Sequence, residues 1–513
     1  MSNKANHSLS IGRLLKNAAV RYRGKEAVFS VNTGRRLSYL ELNERTNRLA
    51  NALTDRGFRK GDLLAFLITN RSETIETYFA IAKLGLIGLP LNYRLNVKEI
   101  ARIMKFAGAR ALVFEDTFAG VADFLNENHA DVKKFICVGK NESGNAEKYE
   151  DLIAGAAAAE PEGEVDEADV FYMNLTSGTT GLPKAYYLRH YNNAAAIFDF
   201  TQMFSITEKD TVLTVFPMFG RVGFAWTGAS ILNGAKHVIM NFEPRQAMEV
   251  VQSEKITVSN WVPAMANFVL ALPDVAKYDT SSLRGLIFAG SSFPVSLQED
   301  VAKRLCPNVY EYYGMQETGI IINASPEDKR KNRETIGKVS PWADVRVFDA
   351  SGKEATVGTI GEIAARALSC ITEYYKDDEK TKESFRGGWC FTGDLGHFDD
   401  QGYLYLSGRI KDMIVTGGQN VFAAEVENCL MACPDVEDCA VIGLPDAKWG
   451  EAVAAVIVKK PDSKATETDV IDYCKKEIAG FKVPKKIIFI DGQLPRTPSG
   501  KVQKFILVDK YSK

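Results

Sequence analysis

Apolar positions recur along the chain at two spacings, and their alternation predicts helices between strands. Ser38-Tyr39-Leu40-Glu41 opens a helix as a capping box, a serine followed three residues later by a glutamate. Leu42, Thr46, Leu49 and Leu53 continue it at helical spacing, and Gly57 offers its C-terminal stop. The short apolar run at 63–68 reads as a strand, 73–84 as an amphipathic helix, 111–115 as another strand and 170–173 as a further one. The alanine- and glutamate-rich stretch 154–164 reads as a solvated connection. Beyond residue 410 the order changes to helix 424–430, strands 439–442 and 452–458, helix 469–479 and strand 486–490. The predicted fold is α/β: a large N-terminal domain of layered α/β subdomains over residues 1–410 and a small α+β domain over 411–513.

Length supports that division, because 513 residues exceed one ordinary core. Apolar content of 46% and charge of 25% are those of a globular protein. A net charge of −2 gives no electrostatic case for nucleic acid. No apolar run approaches the ~20 residues of a membrane span. Met1 to Ser10 is polar and lacks an apolar signal core, so the expected location is the cytoplasm. Eight cysteines in a chain this long do not suggest a disulfide scaffold. Cys429, Cys433 and Cys439 cluster without a CxxC pair or a nearby histidine, and read as buried core thiols. Five scattered histidines speak against a histidine-based metal site or triad.

The stretch with most chemistry is Leu175-Thr176-Ser177-Gly178-Thr179-Thr180-Gly181-Leu182-Pro183-Lys184. Glycines let backbone approach a ligand, consecutive amides can form an anion-binding nest, and the hydroxyls of Ser177, Thr179 and Thr180 plus Lys184 add donors. Turn residues alone would suit a surface loop. Their density directly after a strand favours a polyphosphate. It is not a Walker A loop, since Lys184 follows Pro183 and precedes Ala185.

Other segments carry weaker signals individually. Tyr313 and Gly314, in the run Tyr310 to Gly319, offer an aromatic face beside a glycine for a purine, and Glu317 is a hard oxygen ligand suited to Mg2+. Asp394, after Thr392-Gly393, can accept both hydroxyls of a ribose, and Arg409 can donate to the same sugar or a phosphate. In the run Phe216 to Trp226, a core helix start is the plain reading, with Arg221 a surface charge. Residues 285–290 read as a strand entering a glycine turn, followed by Ser291.

Together these motifs resemble, in order, those of the adenylate-forming superfamily of acyl-CoA synthetases, luciferases and peptide-synthetase adenylation domains. The resemblance runs from about Leu14 to Lys501, nearly the whole chain. It implies that Thr176, Ser177, Gly178, Thr179, Thr180 and Lys184 bind phosphate, and that Gly290, Ser291, Tyr313, Gly314, Asp394 and Arg409 bind the rest of ATP. Mg2+ accompanies ATP on Glu317 and Thr176, with Gln316 beside it. Phe219, Gly220, Val222, Gly223, Trp226 and Met315 line the acyl pocket. Lys411 is the hinge of a mobile C-terminal domain, whose loop at Gly417 and Gly418 flanks a coenzyme A tunnel. Lys501, in Pro495-Arg496-Thr497-Pro498-Ser499-Gly500-Lys501, is the mobile catalytic lysine.

This sequence departs from the family pattern at Ala185, Gln316, Ala423 and Gly220, where glycine, threonine, proline and histidine are usual. The implied reaction joins a carboxylic acid to coenzyme A through an acyl adenylate, with AMP and diphosphate released. The apolar pocket points to a medium-chain, aromatic or alicyclic acid. Two alternatives stay open: an adenylating enzyme that loads a carrier protein or oxidises its acyl group, and a nucleotide binder that has lost catalysis. Resembling enzymes are often homodimers.

Overall fold

The computed structural model describes residues 9–129, 131–140, 146–175, 184–496 and 502–512. Apolar strands such as Leu63–Leu67, Ala111–Glu115 and Gly285–Phe288 are the runs that parallel sheets bury on both faces. Among the described residues they assemble into two large, mostly parallel sheets, one of seven strands and one of nine. A five-stranded antiparallel sheet follows, built from 343–409, and then a second five-stranded sheet from 413–489. This is the predicted mixed α/β architecture, a large N-terminal domain and a smaller C-terminal one.

Local signals set several elements where the sequence placed them. The Ser38–Glu41 capping box closes in both directions and starts the helix Tyr39–Asp55. The C-terminal elements appear as Ala423–Met431, Val436–Asp446, Gly450–Lys459, Glu467–Glu477 and Lys486–Phe489. There Cys433 and Cys439 are buried and Cys429 half-buried in one apolar core.

Three expectations are corrected and a fourth is qualified. The helix Ser72–Leu84 is not amphipathic but buried nearly all round. Its acids survive burial because they are paired: Glu76 with Arg45 at 2.8 Å, Glu73 with Arg71 at 2.9 Å and with Arg35 at 3.1 Å. The connection 154–164 is largely exposed, as expected, but it is also anchored to the helix Tyr39–Asp55. Carbonyls of Ala157, Ala158 and Ala159 accept from Asn51 and Asn47, and Glu160 meets the buried Lys83 at 2.8 Å. Residues 417–422 are not a loose loop: Met413–Thr416 and Gln419–Phe422 form a hairpin about Gly417-Gly418. Both glycines have positive φ, +57° and +79°, which suits a two-residue hairpin turn. Arg221 is 4% exposed, so it is no surface charge. An unpredicted helix, Lys504–Tyr511, packs against the strand Val436–Asp446.

Candidate active site

Three sheets deliver the site. Strand Val309–Met315 ends its sheet by turning through Gln316, Glu317 and Thr318 into the antiparallel strand Gly319–Ala324. The turn is tight: the Met315 amide donates to Thr318 Oγ1 at 2.9 Å. A Cβ on Gly314 would lie 1.9 Å from the Gly319 carbonyl, so glycine is required there. Ligands of open α/β sheets gather at such carboxyl ends of strands.

The antiparallel sheet adds Asp394, in strand Trp389–Phe398, directly opposite Arg409 in the ladder. Arg409 Nε lies 2.8 Å from Asp394 Oδ1, and the Tyr313 hydroxyl donates to Oδ2 at 2.7 Å. Burial and the Asp394 charge push the Tyr313 phenol well above its ordinary range, so it remains a donor. Tyr313, 81 positions earlier in the chain, and Arg409 thus converge on one carboxylate. Each carboxylate oxygen keeps a free lone pair for a further donor.

In the seven-stranded sheet one strand ends at Leu175 and its neighbour begins at Ala185, so Lys184 stands just before that second strand. Its Nζ stands 4.7 Å from the centroid of the Tyr374 ring. Tyr374 in turn donates its hydroxyl to Glu317 Oε1 at 2.9 Å. Tyr186, beside Lys184, donates to Gln316 Oε1 at 3.1 Å. The longer glutamine side chain at this position therefore has a phenol to hold it.

Arg221 opens the helix Arg221–Asn233 but points inward. Its Nη1 donates to the Gln316 carbonyl at 2.8 Å, and Nη2 to the Ser369 carbonyl. The guanidinium thereby fastens the glycine-rich segment at 220–223 to the turn that carries Glu317. Asp199, buried within reach of this charge, is pushed up to about 7 by burial, against the pull of Ser340 and Arg221.

The remaining candidates fall as follows. Phe219 packs edge-on to Tyr93 at 5.1 Å, and Gly220 caps the helix. A Cβ on Gly223 would meet Met218 Cα at 2.8 Å, so this entry turn has no room for a side chain. Val222 and Met315 are half-buried. Trp226 is 1% exposed, stacked on Phe204 and hydrogen-bonded to Asn260 at 2.9 Å. Its indole supports the wall from behind and offers no open face. Gly290, with φ +89°, and Ser291 sit on an exposed turn. Lys411 lies exposed in the short turn Ile410–Asp412, just before the C-terminal sheet. Thr176, Ser177, Gly178, Thr179, Thr180 and Lys501 lie outside the described residues.

Tyr374, Tyr186 and the anchoring role of Arg221 escaped the sequence reading. Glu373-Tyr374-Tyr375 forms no motif by itself, and only long-range contacts reveal its place.

Among the described residues no group of three histidine, cysteine or acidic side chains could enclose a metal ion. Nor is Glu317 in an ion pair among them. A half-buried carboxylate holding one hydroxyl suits Mg2+, which keeps several waters and takes few protein ligands when it travels with phosphates.

Comparison with known proteins accords with this geometry. Residues 15–375 match the AMP-binding enzyme family and 425–501 match the AMP-binding enzyme C-terminal domain. The chain is 31% identical to the long-chain-fatty-acid–CoA ligase FadD13 of Mycobacterium tuberculosis, covering 98% of this chain and 99% of that one. It is 32% identical to the fatty acid–[acyl-carrier-protein] ligase ScoC of Streptomyces coeruleorubidus, over 92% of each. ATP-bound MatB from Rhodopseudomonas palustris superposes with a TM-score of 0.91 at 28% identity, over 99% of each chain. Among the described residues no helix is long and apolar enough to cross a membrane. The chain belongs to the AMP-binding, adenylate-forming enzyme family.

Proposed function

We propose that this enzyme is an AMP-forming acid–coenzyme A ligase acting on an apolar acid in the cytoplasm. The observation that carries the reading is the convergence of Tyr313 and Arg409 on Asp394, with Tyr313 on the strand that turns directly into Glu317. Asp394 and Arg409 would take the ribose hydroxyls and Tyr313 the purine face, with Gly314, Gly290 and Ser291 completing the nucleotide's enclosure. The loop from Thr176 through Ser177, Gly178, Thr179 and Thr180 to Lys184 would hold the phosphates. Glu317 and Thr176 would hold Mg2+, which supplies positive charge against the phosphates when bound.

The substrate carboxylate then attacks the α-phosphorus of ATP. A bond forms from carboxylate oxygen to phosphorus, the α–β bridging bond breaks, and pyrophosphate leaves with its electron pair. Two anions must meet in this step. Lys501, Lys184 and Gln316 act by placing positive charge and donors where negative charge develops. In the second step the coenzyme A thiol, losing its proton to solvent, attacks the acyl carbon and AMP departs. Residues 411–513 would turn about Lys411 between steps, exchanging Lys501 for the Gly417-Gly418 turn.

Phe219, Gly220, Val222, Gly223 and Met315, backed by Trp226, form the surface assigned to the acid. Their character favours medium-chain, aromatic or alicyclic acids. The test is thioester and AMP formation from Mg·ATP and coenzyme A across a panel of carboxylic acids. Turnover of apolar acids supports the assignment; turnover of acetate or a dicarboxylate alone overturns the choice of acid. The similarity to ScoC favours a second reading, in which a carrier protein replaces coenzyme A. Pyrophosphate exchange without any coenzyme A thioester would select it. Silence across the panel would mark a binder that has lost catalysis.

A further inference from the structure

We propose that Tyr374 is a positioning residue that holds the Glu317 carboxylate by its hydroxyl and the Lys184 ammonium by its ring face. It keeps the two opposite charges apart and ready for Mg·ATP. The inference rests on the adenylation reading above and deepens it.

The contacts are the 2.9 Å bond from the Tyr374 hydroxyl to Glu317 Oε1 and the 4.7 Å approach of Lys184 Nζ to the ring centroid. Among the described residues neither Glu317 nor Lys184 is in an ion pair. Both charges lean on the same aromatic side chain instead. A phenol donates one proton, so Oε2 and the second lone pair of Oε1 stay available to a hard cation. The ring face attracts an ammonium without neutralising it.

The ring cannot drift, because its segment is fastened on both sides. The Ile371 amide donates to the Glu317 carbonyl at 2.8 Å, and Ser369 Oγ to the Thr318 carbonyl at 2.7 Å. On the other side the Tyr375 amide donates to the Ala185 carbonyl at 2.7 Å. Tyr374 itself donates its amide to Thr381 Oγ1 at 3.0 Å and packs its ring on Phe385 at 5.6 Å. One short segment, 369–375, thus links the turn bearing Glu317 to the strand that follows the phosphate loop. Remove ring and hydroxyl together, and nothing at this position keeps the Glu317 carboxylate and the Lys184 ammonium apart. A collapsed Glu317–Lys184 pair would have to open before metal and nucleotide could bind.

Binding, not turnover, tests this. Mn2+ is titrated by electron paramagnetic resonance into the full-length protein with α,β-methylene-ATP, which cannot be cleaved at the reacting bond. Analogue affinity is measured separately in metal-free buffer. Tyr374→Phe keeps the ring and its packing on Phe385. It should weaken Mn2+ binding about tenfold, the usual scale of a hydrogen bond to a charged group. Metal-free affinity should stay within about twofold, since the ring face remains. Tyr374→Leu, lacking ring and hydroxyl, should lose affinity in both measurements. Unchanged Mn2+ affinity in Tyr374→Phe would overturn the proposal, and so would equal weakening of both affinities. A wild-type protein that binds neither analogue nor Mn2+ would instead overturn the adenylation reading itself.

Discussion

Replacing Asp394 by alanine separates the bonds this carboxylate makes within the protein from those proposed for the ribose. Within the protein it accepts from Tyr313 at 2.7 Å and from Arg409 at 2.8 Å. Its removal strands a phenol and frees a guanidinium, at a stability cost of about 1–3 kcal/mol. Toward ATP it would lose two bonds from ribose hydroxyls, each worth about 1.5–3 kcal/mol to a charged acceptor. Because Tyr313 and Arg409 already draw on the same charge, the lower end applies. That is about 3 kcal/mol, or roughly a hundredfold in affinity. Calorimetric titration with ATP and with 2′,3′-dideoxy-ATP isolates the ribose part. Wild-type protein should prefer ATP by about that hundredfold, and Asp394→Ala should lose most of that preference, keeping only what Arg409 contributes to the hydroxyls. A variant that still favours ATP by the wild-type factor would refute the ribose assignment, whatever its overall affinity.

Asp199 titrates near 7 through burial, well above its unfolded value, so the folded state favours its protonated form. Its penalty is absent below about pH 4 and grows as pH rises through about 7; Asp199→Asn should therefore raise the melting temperature at about pH 8 but not at about pH 4, and an equal shift at both would contradict this. Lys83→Ala removes bonds of 2.8, 2.7 and 2.6 Å to Glu160, Asn43 and Asn47 and leaves Glu160 only the two asparagine amides; it should cost about 3 kcal/mol in urea denaturation. Lys60→Ala breaks an exposed pair with Asp169 and should cost less than about 1 kcal/mol. Lys501→Ala should abolish adenylate formation yet spare thioester formation from supplied acyl adenylate; equal loss of both halves would show the lysine is misassigned.

Elements written in local code were legible from sequence. The Ser38–Glu41 box needs only two intervening residues, and apolar runs such as Ala111–Glu115 declare buried parallel strands. Elements decided by distant partners were not legible. Arg221 reads as a surface cation until the carbonyls of Gln316 and Ser369, 95 and 148 residues away, give its guanidinium acceptors. The helix Ser72–Leu84 carries acids that suit solvent, and only Arg35, Arg45 and Arg71 make them bearable inside. The site divides in the same way. Tyr313, Glu317, Asp394 and Arg409 stand in recognisable runs with glycine. Tyr374 has no such run, and its role appears only when 369–375 is seen bridging two sheets.

Carboxylate attack on the α-phosphorus is the claim on which the rest depends. Its direct test is turnover of an apolar acid labelled with oxygen-18 in the carboxyl group, followed by mass spectrometry of the products. One labelled oxygen should appear in AMP and none in pyrophosphate. Label in pyrophosphate or inorganic phosphate, with AMP unlabelled, would contradict adenylation and with it the proposed reaction.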